Sequence, residues 1–251
     1  SVGMTLNQLG PTLGTPALEF FNDKFYMIFR SPKINIGKDD FLYLATSKDG
    51  IIWKAERWMD GRTAATPKLI TWSNRLYLFW QGAGNDHVLW FTYTTDGEKW
   101  LDQKSIETMT PYFGISAISS KDLLVIYYSD SNKKLWSAST RIGDTNPDNW
   151  KINGLEIKTA QTFDIQRRSG TSRSLDVVYL NDEDGSLWQS TIDLESLYKF
   201  EPGRKLQRIE NNKENILPPA MISLPTANNK PGLQLLYVTN SPEKRLTQIF
   251  T

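Results

Sequence analysis

The chain has 251 residues, 39% of them hydrophobic, which is enough to bury a sizeable core, and it has no cysteine, which excludes disulfides and thiolate chemistry. Its 29 basic and 28 acidic side chains nearly cancel, so no net field favours nucleic acid or anionic lipid as a partner. No apolar run reaches the length of about 18 residues that a membrane helix needs, so no membrane span is expected.

The opening residues lack the basic-then-apolar order of a signal peptide, as a mature secreted chain also would, and the reading leans to such a chain over a cytoplasmic one. The first candidate strand is MTLNQLG, Met4 to Gly10. From Thr15 to Arg30, TPALEFFNDKFYMIFR reads as an apolar run, a polar turn at Asn22-Asp23 and a second apolar–aromatic run. A third run, FLYLATS (Phe41 to Ser47), leads through Asp49-Gly50 to a fourth that opens on Trp53. The same order returns in TPKLITWSNRLYLFWQ (Thr66 to Gln81), turning at Ser73-Asn74, then VLWFTYT (Val88 to Thr94), Asp96-Gly97 and Trp100. Short β-rich runs separated by turn residues predict antiparallel strands.

Further copies follow. LLVIYYSD (Leu123 to Asp130), KLWSAST (Lys134 to Thr140) and a segment opening on Trp150 make a third. SLDVVYLND (Ser174 to Asp182), SLWQSTI (Ser186 to Ile192) and Tyr198 to Phe200 make a fourth, and Leu233 to Asn240 with Arg245 to Thr251 begin a last one. Repeats of about 50 residues, four strands each, predict an all-β fold: a single five-bladed β-propeller of antiparallel blades. The blades span about 11–60, 61–106, 107–157, 158–207 and 208–251, with residues 1–10 supplying the last blade's fourth strand and closing the ring.

SKDGIIW (Ser47 to Trp53) and TTDGEKW (Thr94 to Trp100) resemble the Asp-box (BNR-type) hairpins of sialidase-like propellers, although the residue usually found between Asp and Gly is absent. Five blades also resemble the furanosidase-type glycoside hydrolases and the tachylectin-type lectins. The resemblance implies a sugar-handling protein whose box turns lie away from the functional centre. Physically, Asp-Gly is a hairpin turn, with glycine taking the positive φ and the carboxylate bracing nearby N–H groups. Trp53 and Trp100 are expected to fill wedges between neighbouring blades.

Function is therefore expected on the opposite rim, where the loops between second and third strands and between blades are longer. Polar and aromatic residues gather there: Arg30, Asp40, Arg62, Trp80, Gln81, Asp86, His87, Tyr112, Asp130 and Asn181 are the candidate ligand-binding residues. A flat ring for the C–H face of a sugar and fixed polar groups for its hydroxyls are the required mixture. His87 is the only histidine, so no histidine-based metal cluster can form, and no nucleotide or metalloprotease motif accompanies it. No metal and no cofactor are expected, although Asp39, Asp40, Asp182, Glu183 and Asp184 carry oxygen ligands. The leading reading is a non-enzymatic, lectin-like propeller that binds glycans. Two alternatives stay open: a protein-interaction propeller of a toxin or adhesin, and a glycoside hydrolase. In the hydrolases that the chain resembles the acids lie on inner strands, which here hold only Glu19 and Asp164 as catalytic candidates.

Overall fold

The computed structural model describes residues 15–30, 41–63, 65–142, 149–168, 173–183, 186–194, 200–207, 220–225, 231–238 and 246–250. Among these there is no α-helix, and the strands pair antiparallel. The strand expected at 4–10 lies outside the described residues. The chain divides into two compact units, one of residues 1–125 with 139–151 and one of 126–138 with 152–251.

In the first unit β1 (Ala17–Phe21), β2 (Lys24–Arg30), β3 (Phe41–Ser47) and β4 (Lys54–Arg62) form one meander. A second comprises β5 (Lys68–Trp72), β6 (Arg75–Gln81), β7 (Leu89–Thr94) and β8 (Lys104–Ile106). Two-residue turns set both registers, Phe21 facing Lys24 and Trp72 facing Arg75. Both turn residues are left-handed in each case, Asn22 and Asp23 at φ 46° and 58°, Ser73 and Asn74 at 49° and 56°. That backbone matches the strands' own twist, and Asn, Asp and Ser tolerate it better than branched residues do. First strands lie side by side, β5 next to β1 and β9 (Ile115–Ser119) next to β5. Hydroxyls stitch them: Thr71 donates to the Phe20 carbonyl at 3.4 Å and Ser119 to the Thr71 carbonyl at 3.0 Å.

The apolar runs are continuous because both faces of a blade are covered. Even-numbered residues of the first meander, Tyr26, Ile28, Leu42 and Leu44, pack with Leu69, Leu76, Leu78 and Trp80 of the second. Odd-numbered ones, Met27, Phe29, Tyr43 and Ala45, make a separate cluster with Trp53 on the face turned away from the second meander. Trp100 packs at the edge of the inter-blade cluster. Each tryptophan thus seals one flank of its own blade.

The two Asp-Gly turns share one geometry. Asp49 Oδ1 accepts the N–H groups of Ile51 and Ile52 at 2.8 and 2.9 Å, and Asp96 Oδ1 accepts those of Glu98 and Lys99 at 2.8 Å each. The hydroxyl before it, Ser47 or Thr94, donates to the same oxygen at 3.0 Å and accepts the glycine N–H at 2.9 Å. Those backbone donors, first Ile52 and first Lys99, hold both carboxyls below their ordinary range. Gly50 and Gly97 take φ of 74° and 82°.

The division between the units crosses β10 (Leu123–Ser129) after Val125 and β11 (Lys134–Arg141) after Ala138. The second unit continues with β12 (Lys151–Arg167), β13 (Ser174–Asn181), β14 (Leu187–Asp193) and β15 (Phe200–Gln207), paired in that order. A three-stranded meander follows: β16 (Ala220–Pro225), β17 (Pro231–Val238) and β18 (Leu246–Phe250). The blade boundary expected at 157/158 falls inside β12, which runs unbroken for 17 residues. After Gly154 it meets no glycine or proline, and the chain absorbs the junction as a register shift between Thr159 and Phe163. Buried Asp176 on β13 takes a two-pronged contact from Arg168, Nη2 at 2.6 Å and Nε at 3.2 Å, and an N–H from Gln189 at 2.9 Å.

Candidate functional site

The hairpin between β6 and β7 positions the most concentrated group of candidate residues. Gly82 donates to the Val88 carbonyl at 3.0 Å and closes the loop. A Cβ on Gly82 would coincide with the Asp86 carboxylate, so only glycine lets that side chain fold back across the loop base. Asp86 then braces the loop from within: Oδ1 accepts the Val88 N–H at 3.0 Å and Oδ2 the Trp90 indole N–H at 2.8 Å. The segment after β8 is tied on by Leu89 N–H to the Met109 carbonyl at 2.9 Å.

With the loop so fixed, Gln81 Nε2 lies 2.9 Å from His87 Nδ1. The His87 ring contacts Tyr112 at 4.9 Å between centroids, and Tyr112 meets Phe113 edge-on at 4.8 Å. Gln81 is 3% exposed, whereas Tyr112 is 44% exposed. When Gln81 donates to Nδ1, the proton of neutral His87 resides on Nε2, which becomes the ring's donor. Three of the candidates, Gln81, His87 and Tyr112, therefore form one chain of contacts, running from a buried amide to an exposed phenol ring. Asp86 supports it, and Phe113 extends it.

Other candidates lie elsewhere. Trp80 is 1% exposed and belongs to the inter-blade core, stacked near Trp90 with centroids 6.4 Å apart. Arg30 donates to the Thr63 carbonyl at 3.4 Å. Exposed Arg62 spreads over the Phe41 ring at 5.6 Å. Asp40 lies outside the described residues. In the second unit Asp130 caps its own loop, Oδ1 accepting the N–H groups of Asn132 and Lys134 at 2.9 and 3.0 Å and Oδ2 the Trp136 indole at 2.9 Å. Asn181 Oδ1 accepts the Glu183 N–H at 2.8 Å, and beside it Lys133 pairs with Asp182 at 2.6 Å.

One repeated device was not read from the sequence. Leu-Trp recurs at 89–90, 135–136 and 187–188, and each indole N–H reaches a loop side chain: Asp86, Asp130, or the Ser186 hydroxyl at 2.8 Å. The doublet is visible in the sequence; its partners lie four, six and two residues upstream, at no fixed spacing.

The inner-strand acids differ in setting. Glu19 on β1 stands between Leu18 and Phe20, and burial pushes its carboxyl up, while the Phe20 N–H and the Lys68 charge pull it the other way. Asp164 on β12, in the other unit, accepts the Ile165 N–H at 2.9 Å.

No family model matches the chain, and no curated protein does. Solved structures do match. A mutant of the Aleuria aurantia lectin in complex with α-methyl-L-fucoside superposes with a TM-score of 0.65 at 14% identity, covering 94% of this chain and 72% of that one. The Penicillium chrysogenum α-L-arabinanase complexed with arabinobiose gives 0.63 at 14%, covering 99% and 85%. The Fusarium graminearum α-L-arabinofuranosidase Arb93A, in complex with an iminosugar inhibitor, gives 0.64 at 12%, covering 95% and 80%. At these identities the likeness shows the fold, which is that of the β-propellers.

Proposed function

We propose that this chain is a carbohydrate-binding, lectin-like propeller of five blades with Asp-box-type turns, and that its site is the rim of the second blade around Gln81, His87 and Tyr112. The observation that carries it is the half-exposed Tyr112 ring held against His87, itself fixed by a buried glutamine amide. Such an arrangement offers a preorganised apolar plane for the C–H face of a sugar, beside an imidazole donor for a hydroxyl. The fucoside in the lectin neighbour and the arabinose-derived ligand in the arabinanase neighbour support the same ligand class. Arg30, Asp40, Arg62, Asp130 and Asn181 are proposed as ligand contacts at their own places in the chain and not as part of this trio; Asp86 serves the trio as the brace of its loop. A glycan array followed by calorimetry tests it: the native protein binds a saccharide, and Tyr112→Ala weakens that binding by roughly tenfold, about 1.4 kcal/mol. Absence of any saccharide binding at millimolar concentrations would sink the proposal.

One observation favours a second reading. A general acid needs a carboxyl whose proton affinity its surroundings raise, and burial raises that of Glu19. Hydrolysis of an aryl furanoside that Glu19→Gln abolishes would establish this reading. A native protein inert on a broad glycoside panel would remove it.

A further inference from the structure

Asp-Gly is a chemically labile pair at neutral pH. With no side chain on the glycine in the way, its nitrogen can attack the aspartate Cγ. The N–Cγ bond forms, a Cγ–O bond breaks, and the amide proton leaves with the departing hydroxyl as water. Water then reopens this succinimide at either carbonyl, and opening at the main-chain one leaves isoaspartate, which adds a methylene to the backbone of the turn. The chain holds four such pairs, beginning at Asp49, Asp60, Asp96 and Asp184, and a hydroxyl stands two residues before the first and third of them, Ser47 and Thr94. Asp49 and Asp96 are both exposed, so burial does not shield them. Two features of their turns oppose the attack instead. The attacking nitrogen must give up its proton, yet the Gly50 N–H is donated to Ser47 Oγ and the Gly97 N–H to Thr94 Oγ1, each at 2.9 Å. Both hydroxyls are buried, Ser47 4% and Thr94 0% exposed, so solvent does not compete for these bonds. The carboxyl must be neutral for a hydroxyl to leave, yet Asp49 Oδ1 takes the N–H groups of Ile51 and Ile52, and Asp96 Oδ1 those of Glu98 and Lys99. Such donors favour the ionised form. The Gly50 carbonyl is held as well, accepting the Trp53 indole N–H at 3.1 Å.

We propose that Asp49 and Asp96 are latent sites of isoaspartate formation, and that the buried hydroxyls of Ser47 and Thr94 keep them closed by holding the glycine N–H. This closure depends on the turn geometry alone, whichever ligand the long-loop rim takes. The test incubates the whole chain at neutral pH and body temperature and measures isoaspartate by enzymatic methylation and peptide mapping. The native protein converts Asp49 more slowly than the free peptide Ser-Lys-Asp-Gly-Ile-Ile-Trp, by roughly tenfold or more. Thr94→Val, which keeps the side chain's shape and removes its hydroxyl, speeds conversion at Asp96 by roughly fivefold to tenfold, the factor that one hydrogen bond is worth. Asp49 in the same molecules stays slow. Ser47→Ala does the reverse, speeding Asp49 and sparing Asp96, and Thr94→Ser, which keeps the hydroxyl, retains the native rate. Comparing the two turns within one chain separates loss of the latch from loss of the fold, since unfolding would release both. Equal conversion at both turns in either variant, an unchanged rate at the altered turn, or a native rate matching that of the peptide overturns the proposal.

Discussion

Gly97 and Tyr26 offer a quantitative test of how the blades are fastened. Gly97 sits at φ 82° in the second Asp-Gly turn, and a Cβ there would coincide with the Tyr26 hydroxyl and lie 2.8 Å from its Cζ. Gly97→Ala therefore carries two costs. The left-handed backbone costs about 1–2 kcal/mol for a residue with a Cβ, and pushing Tyr26 aside inside a packed layer costs about 1–3 kcal/mol. The mid-range, about 3.5 kcal/mol, lowers Tm by roughly 7–14 °C for a chain of this size. The Tyr26 hydroxyl is buried without a hydrogen-bond partner among the described residues, so Tyr26→Phe alone is near neutral or stabilising. In the double variant the clash with the hydroxyl is gone and the backbone cost stays. The two substitutions should thus couple favourably by about 1–2 kcal/mol in urea melts followed by circular dichroism. Strict additivity, or a Gly97→Ala protein within about 0.5 kcal/mol of the native one, would refute the reasoning.

Asp86→Ala leaves the Trp90 indole N–H and the Val88 N–H without their acceptor, so it costs about 1–3 kcal/mol in denaturant and weakens saccharide binding by releasing His87; a variant that binds unchanged would separate the brace from the site. Asp49 and Asp96 have folded-state values below the ordinary 3.8, so their stabilisation is present above that pH and is lost as pH falls through the lowered value; urea midpoints measured from about pH 5 to about pH 2.5 should fall less steeply in Asp49→Asn/Asp96→Asn. Asp176→Ala removes one acceptor shared by Arg168 and Gln189 and costs about 2–3 kcal/mol, discounted for the 30% exposure of the arginine side chain; chemical denaturation checks it.

Much of the strand order is legible because local chemistry decides it. Asn22-Asp23, Ser73-Asn74 and the two Asp-Gly pairs carry residues that accept left-handed backbone, and each turn appears where those residues stand. The fourth strands are less legible. Trp53 opens directly into β4, but after Trp100, bridged to Thr94, the chain waits until Lys104 before pairing for three residues. Here the hydrogen bond from the Thr92 hydroxyl to the Leu101 carbonyl, a tertiary choice, holds the intervening stretch. The proposed site is legible in the sequence only as residue types, and of those Gln81, His87 and Tyr112 come together. Which candidates would be spent on their own loops was not: Asp86 and Asp130 look like free carboxylates until the loop path brings an indole within reach.

The 17-residue strand β12 has a consequence for how the chain can be rearranged. Where repeats are separated by loops, new termini or an inserted domain disturb only the loop. Across the boundary expected between the third and fourth repeats, β12 runs on as one strand without a loop. A circular permutant opened after Ile157 would sever a ladder paired to β13 on the one side and neighbouring β11 on the other. New termini placed there are therefore expected to cost far more stability than termini placed in a loop between strands.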